Sequence, residues 1–152
     1  VQYRLAYWSK PPGSISLYSG IRRMLEEFHS GGAKLGVITQ KLRAFKLGGR
    51  HAGASTELAE VGIADLFETV IGYEDTSNHK PHPEPVDTAL SRLSVTPKDS
   101  IVVGDSPADI EAGRAAGCRT CLVTWGFTEH NRGDTGADLV AETPEDLLSV
   151  IS

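Results

Sequence analysis

Residues 100–117 read SIVVGDSPADIEAGRAAG, a short apolar run that stops on Gly104-Asp105. Ile101, Val102 and Val103 are β-branched and too few for a helix, which predicts a strand buried on both faces. Ser106 is a good N-cap, Pro107 suits the first helical position, Asp109 sits at the third, and Gly117 follows the last apolar residue as a stop. The stretch therefore reads as strand, acidic turn, helix. In an open parallel sheet, ligands bind beyond the carboxyl ends of the strands, where Asp105 falls. Asp109 returns towards the same turn after one helical turn. Two carboxylates at such a strand end suit a hard octahedral cation such as Mg²⁺. A helix cap and a turn residue account for the same GDxxxD pattern equally well, so the rest of the chain has to decide.

The 152 residues suit one domain with a sizeable core. Fifteen basic against twenty acidic residues give a net charge of -5. No basic cluster tracks a phosphate backbone, so nucleic acid is not an expected partner. No apolar run reaches the length of a membrane span, and the opening VQYRLAYWSK lacks the form of a signal peptide. A cytoplasmic compartment is the expectation. Cys118 and Cys121 form a CxxC, but it follows a helix and enters a strand, the reverse of a thioredoxin-type pair. With no further ligands at paired spacing, both cysteines read as small buried hydrophobes.

Ser19 is placed to cap a helix carrying Ile21, Met24, Leu25 and Phe28 on one face, stopped at Gly31-Gly32. Residues 34–39, KLGVIT, form a second short strand whose last residue, Thr39, lies at the same sheet edge as Asp105. Residues 41–47 start a helix that Gly48, Gly49 and Gly53 interrupt before Ser55 restarts one. A helical turn at 63–67 feeds a strand at 69–72. The prolines of YEDTSNHKPHPEP, residues 73–85, then pin an extended segment with Lys80 immediately before the first of them. His79 and His82 flank that lysine and read as solvated. A helix carries Val86, Ala89, Leu90 and Leu93, a fourth strand covers 120–124, and Thr143-Pro144 opens a last helix. Helix and strand alternate four times, which implies a doubly wound, Rossmann-like α/β layer with a parallel sheet and helices on both faces.

Thr39 after one strand, Lys80-Pro81 after the next, and Gly104-Asp105-Ser106 with Asp109 after a third resemble the haloacid dehalogenase superfamily of phosphatases. The segments VITQK, IADLF, KPHPEP, DIEAGRAAG and VTWGF look most like its phosphoglycolate phosphatase branch. The resemblance implies that Thr39 and the backbone at Gln40 bind the transferring phosphoryl group. It implies that Lys80 pairs with the phosphate and the attacking carboxylate, and that Asp105, supported by Asp109, ligates Mg²⁺. The implied substrate is a small phosphorylated metabolite, hydrolysed through an aspartyl-phosphate.

One departure is serious. The family's first strand ends in a DxDxT-type motif whose first Asp is the nucleophile, and no such motif occurs here. In the family that strand lies centrally, between those ending at Thr39 and Asp105, with a small cap domain inserted after it. The expectation is a core over residues 19–152 lacking its central first strand, with residues 1–18 as the tail of an absent cap or linker. The upstream segment, or another chain, would then supply the strand and the nucleophile, and this chain alone would be inactive. A strand from residues 1–7 filling the gap is the competing idea. The alternative function is a non-catalytic phosphate- and metal-binding fragment or pseudo-phosphatase. A receiver-like phosphoacceptor domain ranks last, because the acidic pair it needs early in the chain is missing.

Overall fold

The computed structural model describes residues 14–126 and 135–151. The readings made for residues 1–13 and for Phe127 lie outside them. Helix α1 spans Ile21–Ser30 and buries Met24. Its N-cap is Gly20 with φ 85°, not Ser19, and no side chain caps it. The chain enters this helix through a left-handed residue, which glycine adopts without a Cβ clash.

Strand β1, Gly36–Ile38, is followed by a hairpin of β2, Phe45–Leu47, and β3, Arg50–Ala52. The helix start expected at 41–47 is therefore wrong. Gly48 and Gly49 both have positive φ, 55° and 82°. Two such residues in succession make the two-residue turn whose twist suits paired strands. The alternation Phe45, Lys46, Leu47 is a period-2 pattern with the lysine outward. Helix α2 follows at Ala54–Glu60, one residue before the expected Ser55 and capped by Gly53. A 3-10 turn at Ala64–Leu66 leads into β4, Thr69–Ile71. Strands β1 and β4 are parallel, with Gly36 opposite Thr69 and Ile38 opposite Ile71.

Helix α3, Glu84–Leu93, packs on both of these strands. Then come β5, Ile101–Gly104, α4, Pro107–Ala115, and β6, Arg119–Val123, as the alternation requires. A further strand that the sequence reading lacked, β7 at Leu139–Ala141, pairs parallel to β6. Helix α5, Pro144–Ile151, closes the fold. Thr143 caps it as expected, its Oγ1 accepting from the Asp146 N–H while Asp146 accepts from the Thr143 N–H.

The α/β class and the parallel pairing hold, but the sheet is in two parts. Strands β4 and β1 form one, and β5, β6 and β7 form the other in that order. Among the described residues no backbone ladder joins β1 to β5. Accordingly β5 is not buried on both faces: Val103 is 41% exposed on a strand that, among the described residues, pairs with β6 alone. Two apolar clusters hold the layers. Met24, Cys121, Val123, Ala141 and Leu147 join α1, α5 and the three-stranded sheet. Val86, Ala112 and Cys118, packed with Ile38, Leu90 and Val102, span both sheets through α3 and α4. Cys118 and Cys121 are free and buried, in accord with the packing reading. No described helix is long and apolar enough to cross a membrane.

Candidate active site

Parallel pairing points the carboxyl ends of β1, β4 and β5 the same way within their sheets, and the candidate residues follow those ends. Thr39 comes directly after β1, and its N–H still donates to the Ile71 carbonyl of β4 at 2.9 Å. Its Oγ1 accepts the Lys41 N–H at 3.1 Å, which leaves the hydroxyl proton to donate elsewhere. The Gln40 side chain reaches across to β4's loop, Nε2 donating to the Lys80 carbonyl at 3.0 Å.

Lys80 closes the distance between the two sheets. Its Nζ meets Asp109 Oδ1 at 2.5 Å, with the two side chains only 17% and 11% exposed. The other Asp109 oxygen, Oδ2, accepts from Ser106 Oγ at 2.8 Å, from the Ser106 N–H at 3.1 Å and from the Asp105 N–H at 3.2 Å. Ser106 and Asp109 thereby form a capping box at the start of α4. Burial pushes the Asp109 carboxyl up, but the Lys80 charge and the hydrogen bonds from Lys80 and Ser106 outweigh it and hold the group below its ordinary range. Asp109 is thus both the helix cap of the bland reading and a charge partner in the site.

All five residues singled out in the sequence belong to one connected network. Thr39 and Gln40 are adjacent, Gln40 touches Lys80, Lys80 touches Asp109, and Asp109 holds the Asp105 backbone. Lys80 is paired with Asp109, which compensates the partial burial of its ammonium.

Asp105 and Asp109 offer hard oxygens at one strand end, and Mg²⁺ characteristically takes one or two carboxylates and completes its shell with water and phosphate. Among the described residues no group of three or more His, Cys, Asp or Glu side chains forms a closed cage. Both Asp109 oxygens are engaged, by Lys80 and by Ser106, and the oxygen chemistry of the two carboxylates suits an ion of that open kind.

Two glycines shape the carboxylates. A Cβ on Gly104 would overlap the Asp109 side chain, and one on Gly126 would overlap that of Asp105. Sequence reasoning noted VTWGF only as a family-like feature, yet its glycine after β6 is a close-approach signal. The histidines are not simply solvated. His79 stacks on Tyr73 with centroids 3.8 Å apart, and His82 Nδ1 accepts the Glu84 N–H at 3.1 Å. Glu84 itself escaped notice, although it stands inside KPHPEP.

Residues 5–123 match the family described as haloacid dehalogenase-like hydrolase. The chain is 35% identical over 139 residues to a phosphoglycolate phosphatase of Salmonella typhi, covering 89% of this chain and 51% of that protein. It is 33% identical over 138 residues to the pyrophosphatase PpaX of Bacillus pumilus, covering 90% and 60%. A crystal structure described as a predicted phosphoglycolate phosphatase from Haemophilus somnus superposes with a TM-score of 0.76 at 27% identity, over 90% of this chain and 57% of that one. The chain thus spans between about half and three-fifths of the length of these relatives.

Proposed function

Because the chain belongs to the haloacid dehalogenase-like hydrolase family, we propose that the whole protein is a Mg²⁺-dependent phosphatase of a small phosphomonoester resembling phosphoglycolate. The observation that carries this reading is the Lys80–Asp109 contact, which brings the lysine beyond β4 and the carboxylates beyond β5 to one point across the divided sheet. Hydrolases of this family that act on phosphate generally use a divalent metal. When bound, such an ion supplies positive charge to the phosphoryl oxygens.

The chain's own residues do the rest. The Thr39 hydroxyl donates to a phosphoryl oxygen, and the Gln40 N–H, which has no partner among the described residues, does the same. Lys80 adds a fixed cation, and Asp105 with Asp109 holds the metal side of the phosphate. Charge placed in advance where it develops is worth most in a partly desolvated site. The attacking carboxylate comes from outside this chain, on a strand that enters between β1 and β5, since no DxDxT-type motif occurs in the sequence. The small phosphorylated substrate binds without nucleic acid or membrane, in a cytoplasmic setting.

The test is phosphate release by the whole protein from phosphoglycolate and other small monoesters, with and without chelator. Turnover that chelation abolishes and Mg²⁺ restores supports the reading, and full activity in Asp105→Ala overturns the metal assignment. The missing motif also favours a second reading, a pseudo-phosphatase that keeps only the pocket. Mg²⁺-dependent phosphate binding without turnover by the whole protein would establish it.

A further inference from the structure

We infer that Glu84 is the positioning residue that aims Lys80, an inference that rests on reading Lys80 as the cation facing the phosphate. A lysine side chain has many rotamers to lose, so a fixed Lys80 needs a backbone that does not wander. The segment between β4 and α3 has no regular secondary structure around Lys80, and its order comes from specific hydrogen bonds.

Glu84 makes the decisive ones. It is the first residue of α3, and its carboxylate reaches back along the chain. Oε1 accepts the Ser77 N–H at 2.9 Å, while Oε2 accepts the Asn78 N–H at 2.9 Å and Asn78 Nδ2 at 2.7 Å. These bonds close residues 77–84 into a ring with Lys80 inside it. Within the ring the His79 carbonyl accepts the His82 N–H at 2.9 Å, and His82 Nδ1 accepts the N–H of Glu84 itself. Glu84 is therefore bonded at both ends of the segment that carries Lys80. From outside, the Tyr73 ring stacks on His79 and Gln40 holds the Lys80 carbonyl. Hydrogen bonds from the Ser77 N–H, the Asn78 side chain and the Asn78 N–H hold the Glu84 carboxyl below its ordinary range, so it stays ionised through neutral pH.

A negative charge in the first turn also favours α3 through the helix dipole, and the two roles respond differently to substitution. Glu84→Gln keeps a side chain of the same length with one acceptor but removes the charge. Glu84→Asp keeps the charge but withdraws the acceptors by one methylene.

The experiment measures phosphoglycolate hydrolysis by the whole protein carrying Glu84→Ala, Glu84→Gln or Glu84→Asp, with amide hydrogen exchange on each. Because Lys80 acts on charge that builds in the transition state, Glu84→Ala should lower kcat about 10-fold while KM stays within about twofold. Glu84→Gln should recover more of kcat than Glu84→Asp, and faster exchange should be confined to residues 77–83. Unchanged kcat in Glu84→Ala overturns the inference, as does better rescue by Asp than by Gln. If Glu84→Ala fails to fold, the Gln and Asp variants decide by the same ranking. If the wild-type protein releases no phosphate from any ester, the proposed function falls. The inference is then judged by exchange alone: protected Ser77 and Asn78 amides, lost on Glu84→Ala or Glu84→Asp without global loosening, support the ring, and unprotected ones overturn it.

Discussion

The two sheets of this molecule are built to different standards. In the sheet of β5, β6 and β7, residues Thr120 to Val123 of β6 are all buried, and Met24 and Leu147 from the helices close over one face. The sheet of β1 and β4 has two strands of three residues each. Around its edge, charges do much of the holding. Arg43 and Arg92 both pair with Asp75, and Glu74 accepts the N–H groups of Arg43 and Ala44. The first half is held by burial, which is insensitive to geometry in detail, and it carries the carboxylates. The second buries Thr69 and Ile71 as well but adds directional polar bonds at its edge, and it carries the threonine and the lysine whose aim matters. The α3–α4 cluster, the Lys80–Asp109 pair and the bonds from Arg22 of α1 to the Val61 and Gly62 carbonyls tie them together.

The sharpest way to break this division is to remove one charge from each side. Asp105→Ala and Lys80→Ala should each lower phosphate release by the whole protein about 10³-fold, the scale of losing a group aimed at developing charge. A site that survives either change would mean that the halves do not act together. Gly126→Ala tests the carboxylate half more gently. The new methyl must displace the Asp105 carboxylate, and a shift of about 1 Å lowers turnover about 100-fold, with the far-ultraviolet circular dichroism unchanged.

Stability measurements sharpen the contrast. Leu147 is 2% exposed, and Leu147→Ala should lose about 3 kcal/mol in urea unfolding. Arg92→Ala, at the polar half, should lose less than about 1 kcal/mol, because the exposed Arg92 shares Asp75 with Arg43. Between these lies the acid response. The native carboxyl of Asp109 lies below its unfolded value of about 3.9, so its contribution is complete above that pH and is lost as the pH falls through the native value. Stability should therefore drop below about pH 4, and Asp109→Asn should flatten that slope.

The carboxylate half was also the more legible one. SIVVGDSPADIEAGRAAG carries its strand, cap, first-turn proline and stop in consecutive residues, and the structure places β5 and α4 there with Ser106 as the cap. Local chemistry settles such a stretch. The polar half resisted because its signals are non-local. Residues 41–47 have helix-forming side chains, and only pairing across Gly48-Gly49 turns them into a strand. Leu139–Ala141 is three residues long, and nothing but its pairing with β6 marks it as a strand. Within the site, Thr39, Lys80, Asp105 and Asp109 were visible because each follows a strand end. Glu84 and Gly126 were not, because each acts on another residue's position.

The two buried thiols have a practical consequence. Cys121 lies in the cluster with Met24 and Leu147, whereas Cys118 lies in the one that α3 and α4 share. Burial holds both thiols above their ordinary pKa, with the Asp87 charge adding to the effect at Cys118. Alkylation needs the thiolate and access to it, so at neutral pH neither reacts from the closed state. Each reaction is then a clock for one layer's opening, and the ratio of the two rates tells which layer of the molecule breathes first.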